Sequence, residues 1–205
     1  GSGPAGHHAA IQAAKIGRRV AIVDRPRSVG GVCINTGTIP SKTLREAVLY
    51  LSGARQRSFY GGAYRVKQAI TIQDLMVRCD HVIQREVDVY RNQFGRNDVA
   101  LIEGHGQFVD PQTIRVKGPS MDEDVRAEHI VIATGTVPAI PPGVAIDGER
   151  IIDSDGILTL PQLPTSMIIV GGGAIGVEHA CMFAPLGVAV PLADGRTRPL
   201  ELGDV

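Results

Sequence analysis

Gly1-Ser2-Gly3-Pro4-Ala5-Gly6 opens the chain, and Val20-Ala21-Ile22-Val23-Asp24 follows after a run of small residues that ends at Gly17. A G-x-G-x-x-G turn leads into a helix, and an acidic residue closes the next strand. The first glycine permits the tight turn, the second lets backbone approach a pyrophosphate, and the third allows close helix–strand packing. A helix N-terminus then offers N–H groups and a positive dipole end to phosphate. Asp24 is placed to accept hydrogen bonds from a ribose hydroxyl pair. The alternative, an ordinary strand–helix turn, leaves the small-residue helix and the spacing to the aspartate unexplained.

The same pattern recurs. Ser166-Met167-Ile168-Ile169-Val170 reads as a buried strand, followed by Gly171-Gly172-Gly173-Ala174-Ile175-Gly176 and a helix running to Gly187. A further strand ends at Asp194, and Gly1 to Asp24 and Gly171 to Asp194 are equally spaced. An internal repeat of this kind predicts two dinucleotide sites and an α/β fold of two Rossmann-like units. Asp194 favours a 2′-hydroxyl, whereas Arg196 and Arg198 could bind a 2′-phosphate. Pro185 and Pro191 stand against regular structure in the second unit, because each removes a backbone donor.

Between the repeats lies Gly30-Gly31-Val32-Cys33-Ile34-Asn35-Thr36-Gly37-Thr38-Ile39-Pro40-Ser41-Lys42. This stretch resembles the redox loop of the pyridine nucleotide–disulfide oxidoreductases, where two cysteines flank four residues. Cys33 holds the first thiol position and Thr38 the second. A hydroxyl cannot replace a sulfur in disulfide exchange, so a thiol–disulfide reductase is rejected. Thr at that position resembles the branch of the family that passes hydride between nicotinamide nucleotides through flavin, the soluble transhydrogenases.

The resemblance implies an FAD domain over residues 1–153 and the start of an NAD(P) domain over 154–205, the second incomplete. It implies FAD as cofactor, NADPH and NAD⁺ as partners, a homo-oligomer and a cytoplasmic location. For flavin it points to Gly1, Gly3, Gly6, Asp24, Gly30, Gly31, Cys33, Thr38, Lys42, Gly104, Thr134 and Gly135. For the nicotinamide nucleotide it points to Gly171, Gly173, Gly176, Glu178 and Asp194. Lys42 falls near the isoalloxazine edge, where a cation stabilises charge on reduced flavin. Cys33, without a resolving thiol, reads as a vestige or packing residue, and no general acid or base is assigned. A quinone or dye reductase of the same family, or a non-catalytic nucleotide-binding fragment, shares these motifs. Both ends of the chain fall inside motifs, so a partial product is expected.

The rest is organised by local pattern. Leu75, Cys79, Val82, Ile83, Val87, Tyr90 and Phe94 recur at helical spacing over 71–94, with Thr71 and Asp74 as an N-terminal cap. A second helix is expected from Pro40 with Ser41 as cap and Leu44, Val48 and Leu51 on one stripe. Val99–Ile102, Gly104–Val109 and Thr113–Val116 read as strands, 117–128 as a polar hairpin tip, and 129–136 as a buried strand ending in Ala-Thr-Gly. His7 and His8 receive no role, and Cys79 and Cys181 read as core. The 205 residues carry 21 basic and 21 acidic side chains, which gives a polyanionic partner such as nucleic acid no electrostatic footing. No apolar run spans a bilayer, and three cysteines show no metal-ligand spacing and no even disulfide set.

Overall fold

The structure is a computed structural model that describes residues 1–53, 59–61, 70–119, 122–198 and 200. The chain forms two compact units, one from Gly1–Pro40 with His81–Val137 and the other from Ser41–Asp80 with Pro138–Val205.

In the first unit, helix α1 (Pro4–Lys15) precedes strand β1 (Ala21–Asp24). Pro4 sits in the first turn, where its missing N–H costs nothing. Gly17, with φ of 81°, ends the helix. Its N–H donates to Ala14 and that of Arg18 to Ala13, the paired bonds of a Schellman cap. β1 pairs in parallel with β2 (Ala100–Glu103), from Ala21 opposite Ala100 to Asp24 opposite Glu103. Ala10, Ile22, Val29, Phe94 and Val99 close the core of this unit.

An antiparallel sheet of β3 (His105–Asp110), β4 (Thr113–Lys117) and β5 (Asp122–Arg126) follows. β5 corrects the reading of 117–128 as a hairpin tip. Its three acids look unlike a strand, but Ile114 faces Val125 and Arg115 grips Asp124 with two bonds of 2.8 and 2.9 Å. Cross-strand pairing, not intrinsic preference, makes this segment extended.

A second correction concerns residues 129–136. They form no strand, and Val131 and Ile132 are about 70% exposed. A strand exists only with a ladder partner, and no described residue pairs with this stretch.

Helix α2 (Gly31–Asn35) is a single turn capped by Gly30, and α3 (Thr38–Leu51) follows directly. α3 begins before Pro40, so Ser41 lies inside the helix and is not its cap. Leu44 and Val48 are buried on the expected stripe. Helix α4 (Ile72–Arg96) starts with a reciprocal cap: Thr71 N–H and hydroxyl donate to Asp74, and Asp74 N–H donates to Thr71 Oγ1. Its first half buries Leu75 and Cys79 in the core of the second unit, and its last turns bury Phe94 in that of the first.

The second unit ends with β6 (Ile169–Val170), α5 (Ala174–Phe183), a 3₁₀ turn (Ala184–Leu186) and β7 (Leu192–Ala193). β6 and β7 are parallel. The expected buried strand at 166–170 is short, and Ile168 and Val170 face outward at 70% and 83% exposure. Pro185 lies within the 3₁₀ turn, after α5 has ended at Phe183, while the Pro191 carbonyl accepts from Ile169 N–H at 2.9 Å. Proline has no N–H to donate, and the parallel pairing lapses at Pro191, between the Ser166–Ala189 bridge and the Ile169–Leu192 pair. Met182 and Phe183 are buried and Cys181, one position earlier on the helix, is exposed, which overturns its core reading.

Candidate dinucleotide-binding sites

The first fingerprint is tightly determined by its own backbone. A Cβ on Gly6 would collide with the Gly1 carbonyl, and one on Gly1 would collide with the Ala133 carbonyl and lie 3.6 Å from Thr134 Cα. Gly3 differs: a Cβ there would meet Gly31 Cα only at 3.7 Å, an ordinary contact. The protein's own packing therefore does not require glycine at position 3. Gly3 also caps α1 in extended conformation with no side-chain bond, and the first turn carries no acid. Helix donors without a capping side chain form an anion cradle.

Gly31, with φ of 61°, could not carry a Cβ, which would fall 2.8 Å from Gly3 Cα. The fold thus brings Gly1, Gly3, Gly6, Gly31 and Thr134 together from three separated stretches. Gly135, next in sequence, has φ of 73° and open space around it. Gly104 has a structural reason for its lack of a side chain: a Cβ would fall 2.8 Å from the Lys117 carbonyl. Its N–H donates to the Asp24 carbonyl at 2.8 Å, extending the β1–β2 ladder.

Asp24 is held by Ser2. The Ser2 N–H donates to Asp24 Oδ2 at 2.6 Å, and the Ser2 hydroxyl donates to the same oxygen. Gly30 N–H in turn donates to Ser2 Oγ at 3.0 Å. Ser2 is fully buried, so one hydroxyl ties the first fingerprint to the start of the Cys33 loop. Asn35 secures that loop from the other end, donating to the Val29 and Gly31 carbonyls at 3.0 and 2.8 Å. Cys33 is half-buried within α2, and Thr38 is exposed at the start of α3.

In the second unit Gly176 repeats Gly6, because its Cβ would collide with the Gly171 carbonyl. Gly173 repeats Gly3, capping α5 without a side-chain bond and with nothing within 4 Å of a Cβ. Gly171 has φ of 112°. Asp194 Oδ2 accepts from Gly172 N–H at 2.5 Å. The Arg196 guanidinium grips both Asp194 oxygens, Nε to Oδ1 at 3.1 Å and Nη2 to Oδ2 at 2.7 Å. That guanidinium, with the Arg196 and Gly172 N–H groups, holds the Asp194 carboxyl well below the usual carboxylate range. Glu178 lies on α5, and Lys42 Nζ donates to its Oε1 at 2.5 Å. The two residues named for the flavin edge and the nicotinamide side therefore form one ion pair.

Residues 1–204 of the chain match the family described as pyridine nucleotide-disulphide oxidoreductase. It belongs to that family. Among its relatives are proteins named soluble pyridine nucleotide transhydrogenase, 58% identical in Mycobacterium tuberculosis and 40% identical in Pseudomonas putida. Both matches take in 100% of this chain and 44% of the relative, so the chain spans less than half the length of the relatives it matches. Among solved structures, the HOCl-induced flavoprotein disulfide reductase RclA from Escherichia coli matches with TM-score 0.79 and 31% identity, over 98% of this chain and 42% of that one. LpdA from Mycobacterium tuberculosis matches with TM-score 0.85 and 26% identity, over 98% and 44%.

For a pyridine nucleotide-disulphide oxidoreductase, the sequence reading missed three features. Ser2 has no role in the G-x-G-x-x-G pattern, and its hydroxyl is the one signal available for the bonds to Asp24 and Gly30. His7 is buried at 7% exposure, its ring 4.1 Å from Tyr90 and 5.4 Å from Phe94, with Nε2 on Gln93 Oε1 at 2.5 Å. The i, i+3, i+4 run of Tyr90, Gln93 and Phe94 on one helix face was the available cue. The third is the Asp194–Arg196 pair, in which both residues had been named as separate contacts. No helix among the described residues is long and apolar enough to cross a membrane, and among them no cluster of His, Cys, Asp and Glu could hold a metal.

Proposed function

We propose that this chain supplies the nucleotide-binding portion of an FAD-dependent transhydrogenase that moves hydride from NADPH to NAD⁺. The observation that carries the reading is the combination of two complete fingerprints with Thr38 in the second thiol position. Two fingerprints call for two dinucleotides, and a loop with one sulfur cannot pass electrons on to a disulfide.

Bound FAD would supply a carrier that accepts and returns hydride. The residues present fit it, since the N-terminus of α1 has no capping side chain and no acid in its first turn, and the protein's own packing does not require glycine at position 3. Gly1, Gly3 and Gly6 would hold its pyrophosphate and Asp24 its ribose, with Gly30, Gly31, Cys33, Thr38, Gly104, Thr134 and Gly135 lining the remainder. Lys42, paired with Glu178, would place positive charge at the flavin edge. Gly171, Gly173, Gly176 and Asp194 would hold the nicotinamide nucleotide, with Glu178 beside its reactive end. The domains would run over 1–153 and 154–205, in a cytoplasmic homo-oligomer.

The test is anaerobic hydride transfer from NADPH to thio-NAD⁺ by the full-length, FAD-loaded protein. The reading expects thio-NADH to appear, and its formation to vanish on removal of flavin. Flavin that is bleached by NADPH while no thio-NADH forms would overturn it and favour a quinone-type acceptor.

A further inference from the structure

Residues 25–35, which carry Cys33, fold largely on themselves. Ser28 N–H donates to the Arg25 carbonyl at 3.1 Å, and Gly31 N–H to the Ser28 carbonyl at 2.7 Å. Asn35 closes the segment through its bonds to the Val29 and Gly31 carbonyls. Buried Val29 and Ile34 supply its apolar anchorage. Among the described residues, one hydrogen bond ties the segment to a distant part of the sequence, Gly30 N–H to Ser2 Oγ. A backbone N–H can only donate, so Ser2 Oγ accepts from Gly30 and its proton is left for Asp24. The polar tether of the Cys33 segment is therefore aimed by the carboxylate of the first fingerprint. In the second fingerprint Gly172 stands in the place of Ser2 and offers no hydroxyl.

Resting on the reading of the first fingerprint as a dinucleotide site, we propose that Ser2 is a positioning residue that couples occupancy of that site to the seating of the Cys33 segment. A ribose on Asp24 and a diphosphate at the α1 N-terminus hold still the carboxylate and the turn that aim the Ser2 hydroxyl. Gly30 N–H then keeps its acceptor, α2 stays seated and Cys33 stays half-buried. With the site empty, Asp24 turns more readily to water and the hydroxyl loses its fixed acceptor. α2 then unseats more often and opens Cys33 to solvent. The nucleotide favours the seated state because Gly31 packs directly on Gly3 in the fingerprint turn. By linkage, a seated segment strengthens the nucleotide by the same factor as the nucleotide favours seating.

The test is the rate at which iodoacetamide alkylates Cys33 in the full-length protein freed of flavin, with and without saturating ADP, read peptide by peptide by mass spectrometry. ADP carries the ribose and diphosphate but no flavin ring that could cover the thiol. Exposed Cys181 serves as the rate standard, and buried Cys79 reports any global unfolding. In the wild type ADP is expected to slow Cys33 by about fivefold or more. Ser2→Ala should speed Cys33 about tenfold without ADP, as the tether is lost, and reduce the effect of ADP to less than about twofold. ADP that competes with FAD reloading yet leaves the wild-type Cys33 rate unchanged would overturn the coupling with no variant needed. An effect of ADP equal in Ser2→Ala and wild type would overturn it as well, because the nucleotide would then act without the hydroxyl. ADP that does not compete with FAD would refute the dinucleotide reading of this fingerprint and the coupling with it. Cys33 slowed as expected in a protein that passes no hydride to thio-NAD⁺ would refute the transhydrogenase and leave the coupling standing.

Discussion

The first and second fingerprints share spacing, helix caps and the glycine that packs on a glycine, yet they solve one problem in two ways. A carboxylate at the end of the strand that follows each fingerprint helix must be held in place beside the ribose position. In the first unit Ser2 does this with a buried hydroxyl that also reaches Gly30, so the carboxylate is locked to the loop carrying Cys33. In the second, Gly172 contributes only its N–H, and the remaining bonds come from Arg196 on the solvent side. A small residue exchanged after the first glycine decides whether the carboxylate is held by a buried hydroxyl or by a guanidinium. The lesson is that two matches to one motif can share geometry and differ in charge.

The largest effect should come from what the units share. Gly6→Ala and Gly176→Ala each drive a Cβ into a backbone carbonyl that cannot move aside. Each should cost about 3 kcal/mol, the upper part of the overpacking range, read as a drop in unfolding midpoint of the full-length protein. Equal, small losses would contradict the close packing seen in both.

Ser2→Ala attacks the first unit alone. It leaves Gly30 N–H without its acceptor and takes one of three donors from Asp24, at a cost of about 2 kcal/mol. Flavin should be lost on gel filtration while NADP⁺ affinity is retained. Gly172→Ser transplants the first unit's solution into the second. Its Cβ would press on the Asp194 carboxylate, the end of a side chain that can rotate, so about 1 kcal/mol of stability is expected to go. The sharper readout is NAD⁺ affinity, which should weaken as the carboxylate turns; an unchanged value would show that Asp194 does not face the nucleotide.

The smallest effect is a pH dependence confined to the first unit. Burial lowers the His7 pKa below its ordinary 6.5, partly offset by the bond to Gln93 and aided by His8. Its Nδ1 has no hydrogen-bond partner among the described residues. The folded state therefore favours the neutral ring, and the unfolded chain binds the proton first as pH falls. Stability should be level above about 6.5 and decline below it. His7→Phe, which keeps the ring against Tyr90 and Phe94, should remove part of that decline in thermal melts between pH 5 and 8.

Most of the α/β frame was legible because it rests on local signals. Glycine spacing, the Thr71–Asp74 cap and the Leu75–Cys79–Phe94 stripe each act within a few residues of chain. What was not legible depends on partners distant in sequence. β5 is extended because Arg115 and Ile114 lie opposite it, and 129–136 is not a strand because no described segment does the same. At the candidate sites the glycines and aspartates could be named from spacing. Their bonds could not, since Ser2 meets Asp24 and Gly30, and Gly172 meets Asp194, only after folding.

The division of labour between the fingerprints is best tested by one matched pair on the full-length protein, Asp24→Asn and Asp194→Asn. For each, flavin content after gel filtration and the NAD⁺ dissociation constant are measured on the same preparation. The account predicts that Asp24→Asn loses flavin, whereas Asp194→Asn keeps its full complement of flavin and binds NAD⁺ more weakly. Flavin lost on changing Asp194, or flavin and NAD⁺ binding both untouched by either change, would contradict the assignment of one dinucleotide to each fingerprint.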